Sequence, residues 1–189
     1  MKTGIFVGSF NPPTKAHLEI SNLLYNEKLV EKIVFVPVNN DKKDLVSIEH
    51  RINMLNEYCN DFNYLEVSNI MKTYPNNFNY LVLEDLSIKY NDLYIIMGSD
   101  LLNNFHSFDN YLNMLEKYHF VIIPRGSIDI NSLINNYYGD YKDKFIIINY
   151  HSDISSSLVR LNINNERVTS EMTDNHILDY IKANNLYKN

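Results

Sequence analysis

The stretch Gly4-Ile5-Phe6-Val7-Gly8-Ser9-Phe10-Asn11-Pro12-Pro13-Thr14-Lys15-Ala16-His17 runs from an apolar strand through a glycine turn into a helix. Gly8 lets the backbone come close to an anion, the unpaired N–H groups of the new helix face it, and the helix dipole favours negative charge there. Thr14, after two prolines, is the expected N-cap, and His17 falls in the first helical turn. The pattern is that of a phosphate cradle with a reactive side chain beside it. A second block, Ile154-Ser155-Ser156-Ser157-Leu158-Val159-Arg160, offers hydroxyls, helix-start amides and a guanidinium within one turn near the other end of the chain. Two anion sites in one chain point to a polyphosphate.

Working outward, apolar runs of strand length occupy about 5–7, 33–38, 64–67, 93–97, 120–123 and 145–149. They are nearly continuous rather than alternating, as for strands covered on both faces. Between them lie helical patterns: Ala16, Ile20, Leu23 and Leu24 share one face, and Ile48, Ile52 and Leu55 form the stripe of a helix over about 47–59. Further helices are expected near 78–90, 109–118, 130–137, 156–163 and 174–185. This alternation predicts an α/β fold of the Rossmann-like, doubly wound kind, with a largely parallel sheet and helices on both faces. Such sheets bind ligands at the carboxyl ends of their strands. Gly8 follows the first strand, the 37–43 segment the second, Gly98-Ser99-Asp100 the fourth and Pro124-Arg125-Gly126 the fifth, so all are expected on one rim, joined by 151–157 after the last strand.

A chain of 189 residues with 45% hydrophobic side chains is expected to form one domain over 1–189, with a C-terminal helical segment from about 155. A formal charge of −6 argues against non-specific nucleic-acid binding, so an anionic ligand must be held by a few local cations. Only Cys59 is present, which excludes an internal disulfide and fits a reducing compartment. The apolar run after Met1-Lys2 breaks at Gly8 and again at Pro12-Pro13. It is too short for a signal segment or membrane span, and a cytoplasmic location without membrane contact is expected. His50, His106, His119, His151 and His176 show no metal-ligand spacing, so no protein-held metal is expected.

Together the blocks are similar to a known family. The first resembles the (H/T)xGH signature of the nucleotidylyltransferase superfamily and Ile154 to Arg160 its ISSTxxR signature. Gly98-Ser99-Asp100-Leu101, the basic loop after Pro37, Pro124-Arg125-Gly126 and the C-terminal Ile181 to Tyr187 resemble the nicotinate-nucleotide adenylyltransferase branch over essentially the whole length. The resemblance implies transfer of AMP from ATP to nicotinate mononucleotide. His17, with Thr14 and Arg160, would be catalytic. ATP would be held by Gly8, Ser9, Phe10, Thr14 and His17 at the phosphates, by Gly98 and Asp100 at the adenosine, and by Ile154, Ser155, Ser156 and Arg160 at the departing β and γ groups. Magnesium would be bound mainly through the ATP phosphates. The acceptor would meet Lys42, Lys43, Asn79, Tyr80, Phe108 and Arg125.

This chain departs from the family pattern at several points. Ala16 replaces the signature glycine, which a helix tolerates. Asp41-Lys42-Lys43-Asp44 stands where a Pro-Pro-His-Lys loop is common. Phe108 takes the place of a tryptophan that stacks on the pyridine ring, and Asn79-Tyr80 stands near a Ser-Tyr-Thr segment. The losses fall on the acceptor side. A mononucleotide phosphate has a second pKa near ~6 and is a competent nucleophile at neutral pH, so donors matter more here than a general base. Nicotinamide mononucleotide or phosphopantetheine as acceptor, a nucleotide sensor without turnover, and a homo-oligomeric state all remain open at this stage.

Overall fold

The strands are apolar at consecutive positions because they serve two cores at once. In the structure, a computed structural model describing residues 1–39, 45–74, 78–165, 167–168 and 170–188, Ile5 and Val7 of β1 (Thr3–Gly8) enter one core while Phe6 enters the other. The same alternation holds in β2 (Lys32–Pro37), β4 (Leu93–Gly98) and β5 (His119–Ile123), where Val34, Ile95 and Phe120 lie on one side and Phe35, Ile96 and Val121 on the other. Short strands β3 (Leu65–Val67) and β6 (Phe145–Ile147) form the edges.

The helices divide between the two faces. α1 (Lys15–Asn26), α2 (Ile48–Cys59) and α8 (Asn175–Ala183) cover the Phe6 side with Leu24, Leu55 and Ile177. α3 (Tyr80–Lys89), the short α4 (Ser99–Leu102), α5 (Tyr111–Lys117) and α6 (Ile130–Tyr137) cover the Ile5 side with Leu83, Leu102, Leu115 and Leu133. α7 (Ser156–Asn164) follows β6 and buries Val159. Among the described residues no helix is long and apolar enough to cross a membrane.

The six strands are all parallel, in the order β3-β2-β1-β4-β5-β6. The winding reverses between β1 and β4, which pair with Phe6 opposite Ile96. Two residues further along each strand, Gly8 and Gly98 end side by side at the switch point, where such sheets open a crevice.

The element ends depart slightly from the sequence reading. The third helix starts at Tyr80 rather than 78 because Asn79 caps it, its side chain accepting from the Val82 N–H at 3.3 Å. The next starts at Tyr111 because Asn110 stands at φ 60, a left-handed conformation that a helix does not admit. β6 ends at Ile147, although the Ile148 N–H still reaches the Ile122 carbonyl at 3.2 Å.

Candidate active site

The turn between β1 and α1 is held by side chains from remote parts of the chain. Arg160 donates from Nη1 to the Asn11 carbonyl at 2.7 Å, and the Ser156 hydroxyl donates to the Pro12 carbonyl at 2.8 Å. Thr173 donates to the Pro13 carbonyl at 2.8 Å and Tyr58 to that of Thr14 at 2.9 Å. Each of these carbonyl oxygens is paired with a donor, which lessens its repulsion of an anion entering the turn. The two sequence blocks, 149 residues apart at Asn11 and Arg160, are thus in direct contact. Asn11, buried, also gathers two further segments: its Oδ1 accepts from the Val46 N–H at 3.2 Å and the Tyr187 hydroxyl at 2.9 Å.

His17 sits at the start of α1 with only 8% of its surface exposed, against Phe6 and Phe10 at ring separations of 5.7 and 5.0 Å. Its Nδ1 accepts from the Thr14 N–H at 2.9 Å and lies 2.8 Å from the Thr14 hydroxyl. A main-chain N–H can only donate, so Nδ1 is the unprotonated nitrogen and the neutral ring carries its hydrogen on Nε2. The bond is the return half of a capping box, with histidine where glutamate or glutamine is usual. Burial, with the Arg125 charge as a smaller cause, lowers the imidazole pKa from 6.5 to about 3. His17 is therefore a neutral donor throughout the physiological range.

That depression has a consequence for stability. Between pH 6.5 and about 3 the unfolded chain takes up a proton at His17 that the folded chain refuses, so the unfolded state gains as pH falls. The contribution is fully present above pH 6.5. Relative to a non-titrating His17→Gln variant, the wild type is expected to lose roughly 2–3 kcal/mol of unfolding free energy between pH 7 and pH 4. Paired denaturant titrations check this, and parallel curves would contradict a buried neutral imidazole.

The opposite wall is built on β4 and β5. Ser99, fully buried, clamps the chain after β5: its hydroxyl donates to the Arg125 carbonyl at 3.2 Å and accepts from the Arg125 N–H at 2.9 Å. This brings the Arg125 guanidinium to 3.8 Å from Asp100, across Gly98. A methyl group on Gly98 would meet Asp100 Oδ1 and come within 3.0 Å of the Arg125 side chain, so a larger residue here would have to displace this exposed pair. Gly8 is the more tightly constrained of the two, since an added Cβ would meet the buried Phe10 ring at 2.9 Å, and that ring is held by Phe6 and Phe35.

Between these walls lies a cleft of about 1340 Å³. Gly8, Ser9, Phe10, Thr14 and His17 line one side of it, Gly98, Asp100 and Arg125 another, and Ile154, Ser155, Ser156 and Arg160 a third. Ser155 caps α7, accepting from the Leu158 N–H at 3.2 Å. Tyr187 and Lys188 also border the space. Among the described residues the lining carries Arg125, Arg160 and Lys188 against the single carboxylate Asp100, a local excess of positive charge on a chain of net charge −6.

The expected acceptor residues fare differently. Among the described ones, only Arg125 borders the cleft. Lys42 and Lys43 lie outside the described residues. Asn79 and Tyr80 border a separate shallow concavity with Asp109 and Asn110, because Asn79 is spent on capping α3 and Tyr80 opens that helix beside Lys117. Phe108 packs on Phe105 at 5.6 Å between ring centres, against the Ile5-side core. The residues that the sequence reading did not single out are Asn11, Tyr58, Thr173 and Tyr187. For Asn11 the signal was present, since a polar residue between a strand and two prolines sits where the chain must turn. Tyr187 ends the C-terminal segment that carries the family resemblance, though no role was read for it, while for Tyr58 and Thr173 the partners are 44 and 160 residues away and nothing local marks them.

A parallel sheet whose winding reverses, with a cationic cleft at the switch point lined by a helix start and an imidazole, makes this an α/β protein suited to an anionic, phosphate-bearing ligand. The chain belongs to the cytidylyltransferase-like family, whose sequence model matches residues 5–162. Among its curated relatives, a probable nicotinate-nucleotide adenylyltransferase of Acholeplasma laidlawii is 32% identical over 187 residues, 97% of this chain and 96% of its own length. Another of the same designation, from Carboxydothermus hydrogenoformans, is 28% identical over an alignment that covers 99% of this chain and 98% of its own length. The same fold occurs in the Plasmodium falciparum nicotinic acid mononucleotide adenylyltransferase solved in complex with NaAD, with a TM-score of 0.76 at 24% identity, covering 98% of this chain and 97% of that one.

Proposed function

We propose that this chain is an adenylyltransferase of NAD biosynthesis that transfers AMP from ATP to nicotinate mononucleotide, working as one domain in the cytoplasm. An oxygen of the acceptor phosphate attacks the α-phosphorus of ATP, the bond from that phosphorus to the bridging oxygen breaks, and deamido-NAD and pyrophosphate result. The observation that carries this reading is the contact of the Arg160 block with the His17 turn around one cationic cleft. The curated relatives of matching length bear the name of this activity.

The residues have distinct tasks. His17 Nε2–H, neutral and unable to serve as an acid at pH 7, donates to the α-phosphate oxygens as charge moves onto them. Thr14 fixes the ring through Nδ1. Gly8, Ser9 and Phe10 present main-chain amides, and the first turn of α1 carries no acidic residue to oppose an anion. Arg160, Ser155 and Ser156 hold the β and γ groups as they depart, and Gly98 and Asp100 receive the adenosine. Arg125, beside Asp100 and close enough to depress the His17 pKa, neutralises the acceptor phosphate as it approaches the α-phosphorus. Among the described residues the cleft offers hydroxyls, amides and cations, with Asp100 as its single carboxylate. Such a set suits magnesium that enters on the nucleotide, held through phosphate oxygens and water, with that carboxylate in the cleft. Magnesium carried in this way would supply charge to offset the repulsion between the two phosphates.

The test is pyrophosphate release with ATP and a panel of acceptors. Release is expected with nicotinate mononucleotide, together with a dinucleotide of the mass of deamido-NAD. Release confined to nicotinamide mononucleotide or to phosphopantetheine would name a different acceptor. ATP binding without release under any acceptor would instead identify a sensor.

A further inference from the structure

The bulkiest fully buried side chain among the described residues is a cation. Arg51, 1% exposed, stands on the inner face of α2, within one turn of Ile48 and Leu55. Its Nη1 donates to the Ser9 carbonyl at 2.9 Å and the Val38 carbonyl at 2.8 Å, Nη2 to Asn39 Oδ1 at 2.5 Å, and Nε to the Val46 carbonyl at 3.1 Å. All four acceptors are neutral. Burying a guanidinium on carbonyls alone is costly, and an apolar side chain of similar volume would fill the same space with less desolvation.

What a guanidinium does there that a hydrocarbon cannot is set the direction of a peptide plane. In a trans peptide the C=O and the following N–H point in opposite directions. Arg51 draws the Ser9 carbonyl inward, so the Phe10 N–H is turned outward. Ser9 and Phe10 border the cleft, whereas Arg51 is buried and is not among its lining residues. Phe10 stands at φ 47, a conformation that side-chain-bearing residues rarely adopt, with its ring wedged edge-on against Phe6 and Phe35 at 5.6 and 5.3 Å. Such a backbone persists only where its surroundings over-determine it. The same guanidinium holds Val38, Asn39 and Val46, which tie back to the turn through the Val38 N–H on the Gly8 carbonyl at 2.9 Å and the Val46 N–H on Asn11 Oδ1 at 3.2 Å.

We propose that Arg51 is a positioning residue for phosphate binding. By holding the Ser9 carbonyl it presents the Phe10 N–H to a phosphate oxygen of the bound nucleotide, and by holding Val38, Asn39 and Val46 it fixes the neighbouring wall to the same turn. This rests on the reading of the cleft as an ATP site.

The experiment titrates 15N-labelled wild type, Arg51→Lys and Arg51→Met with ATP, with inorganic pyrophosphate and with adenosine, following amide shifts after melting curves have shown each protein folded. In the wild type, the Phe10 amide is expected to shift with pyrophosphate and ATP. Arg51→Lys keeps the charge but not the fork, and is expected to weaken ATP and pyrophosphate at least about tenfold, as for one charge-assisted hydrogen bond. Adenosine, which meets the Gly98 wall, should bind as before. Equal weakening of adenosine and pyrophosphate would reduce Arg51 to a structural residue, and unchanged pyrophosphate binding would overturn the proposal. Should both variants fail to fold, a wild-type Phe10 amide that stays still while other cleft amides move overturns it as well. A wild type that binds neither ATP nor pyrophosphate defeats the reading of the cleft itself, a distinct result.

Discussion

Replacing His17 by alanine is expected to lower kcat by about 10²–10³, the usual effect of losing one aimed donor, about 2.7–4 kcal/mol of transition-state stabilisation. The ring is neutral and its Nδ1 is occupied by Thr14, so what is lost is the Nε2 donor and not a proton source. The alanine variant also leaves the Thr14 N–H without its acceptor and a gap beside Phe6 and Phe10, which costs stability. His17→Gln separates the two effects. Glutamine is a usual residue at this place in a capping box and can accept from the Thr14 N–H through Oε1. It should therefore recover most of the melting temperature while its turnover remains far below wild type, because its amide cannot occupy the imidazole Nε2 position at the same time. Steady-state kinetics and thermal melting of both variants decide the matter. A His17→Gln enzyme with wild-type kcat would take the imidazole out of the mechanism.

The sheet was legible because each central strand buries both faces, and a double burden of this kind leaves an apolar run that needs no partner to be seen. The crevice was legible for a related reason. Gly8 and Gly98 each end such a run, and the doubly wound topology brings those two ends together. The parts that were not legible depend on contacts across the chain. Nothing around Thr173 or Tyr58 announces that their hydroxyls fasten the carbonyls of Pro13 and Thr14. Arg51 had a local signal, since it interrupts the apolar stripe of Ile48, Ile52 and Leu55 where a surface cation does not belong. Its partners, however, lie on two loops that only the fold assembles. On the acceptor side, Asn79 and Phe108 were read by similarity of place, but a cap and a core contact already account for those side chains.

Arg160→Ala is expected to raise KM for ATP and the inhibition constant of pyrophosphate by roughly 10–100-fold, the range of a charge-assisted hydrogen bond of about 1.5–3 kcal/mol. Two of the five N–H groups of the guanidinium are engaged on the Asn11 carbonyl at 2.7 Å and Ser157 Oγ at 3.3 Å, which aims the group from α7 into the cleft it borders. The substitution removes a phosphate donor and also frees the Asn11 carbonyl to turn toward the anion. Arg160→Lys should fall between, since it restores the charge without the planar fork. Tyr187→Phe provides the control, because it removes one hydrogen bond from Asn11 Oδ1 and leaves Arg160 in place. If the guanidinium acts directly on the leaving group, Tyr187→Phe has a small effect, of the order of 0.5–1.5 kcal/mol, on ATP and pyrophosphate alike. If Arg160 serves only to hold Asn11, the two variants should look similar. Kinetics with an unchanged KM for ATP and unaltered pyrophosphate inhibition in Arg160→Ala would remove this residue from the triphosphate site.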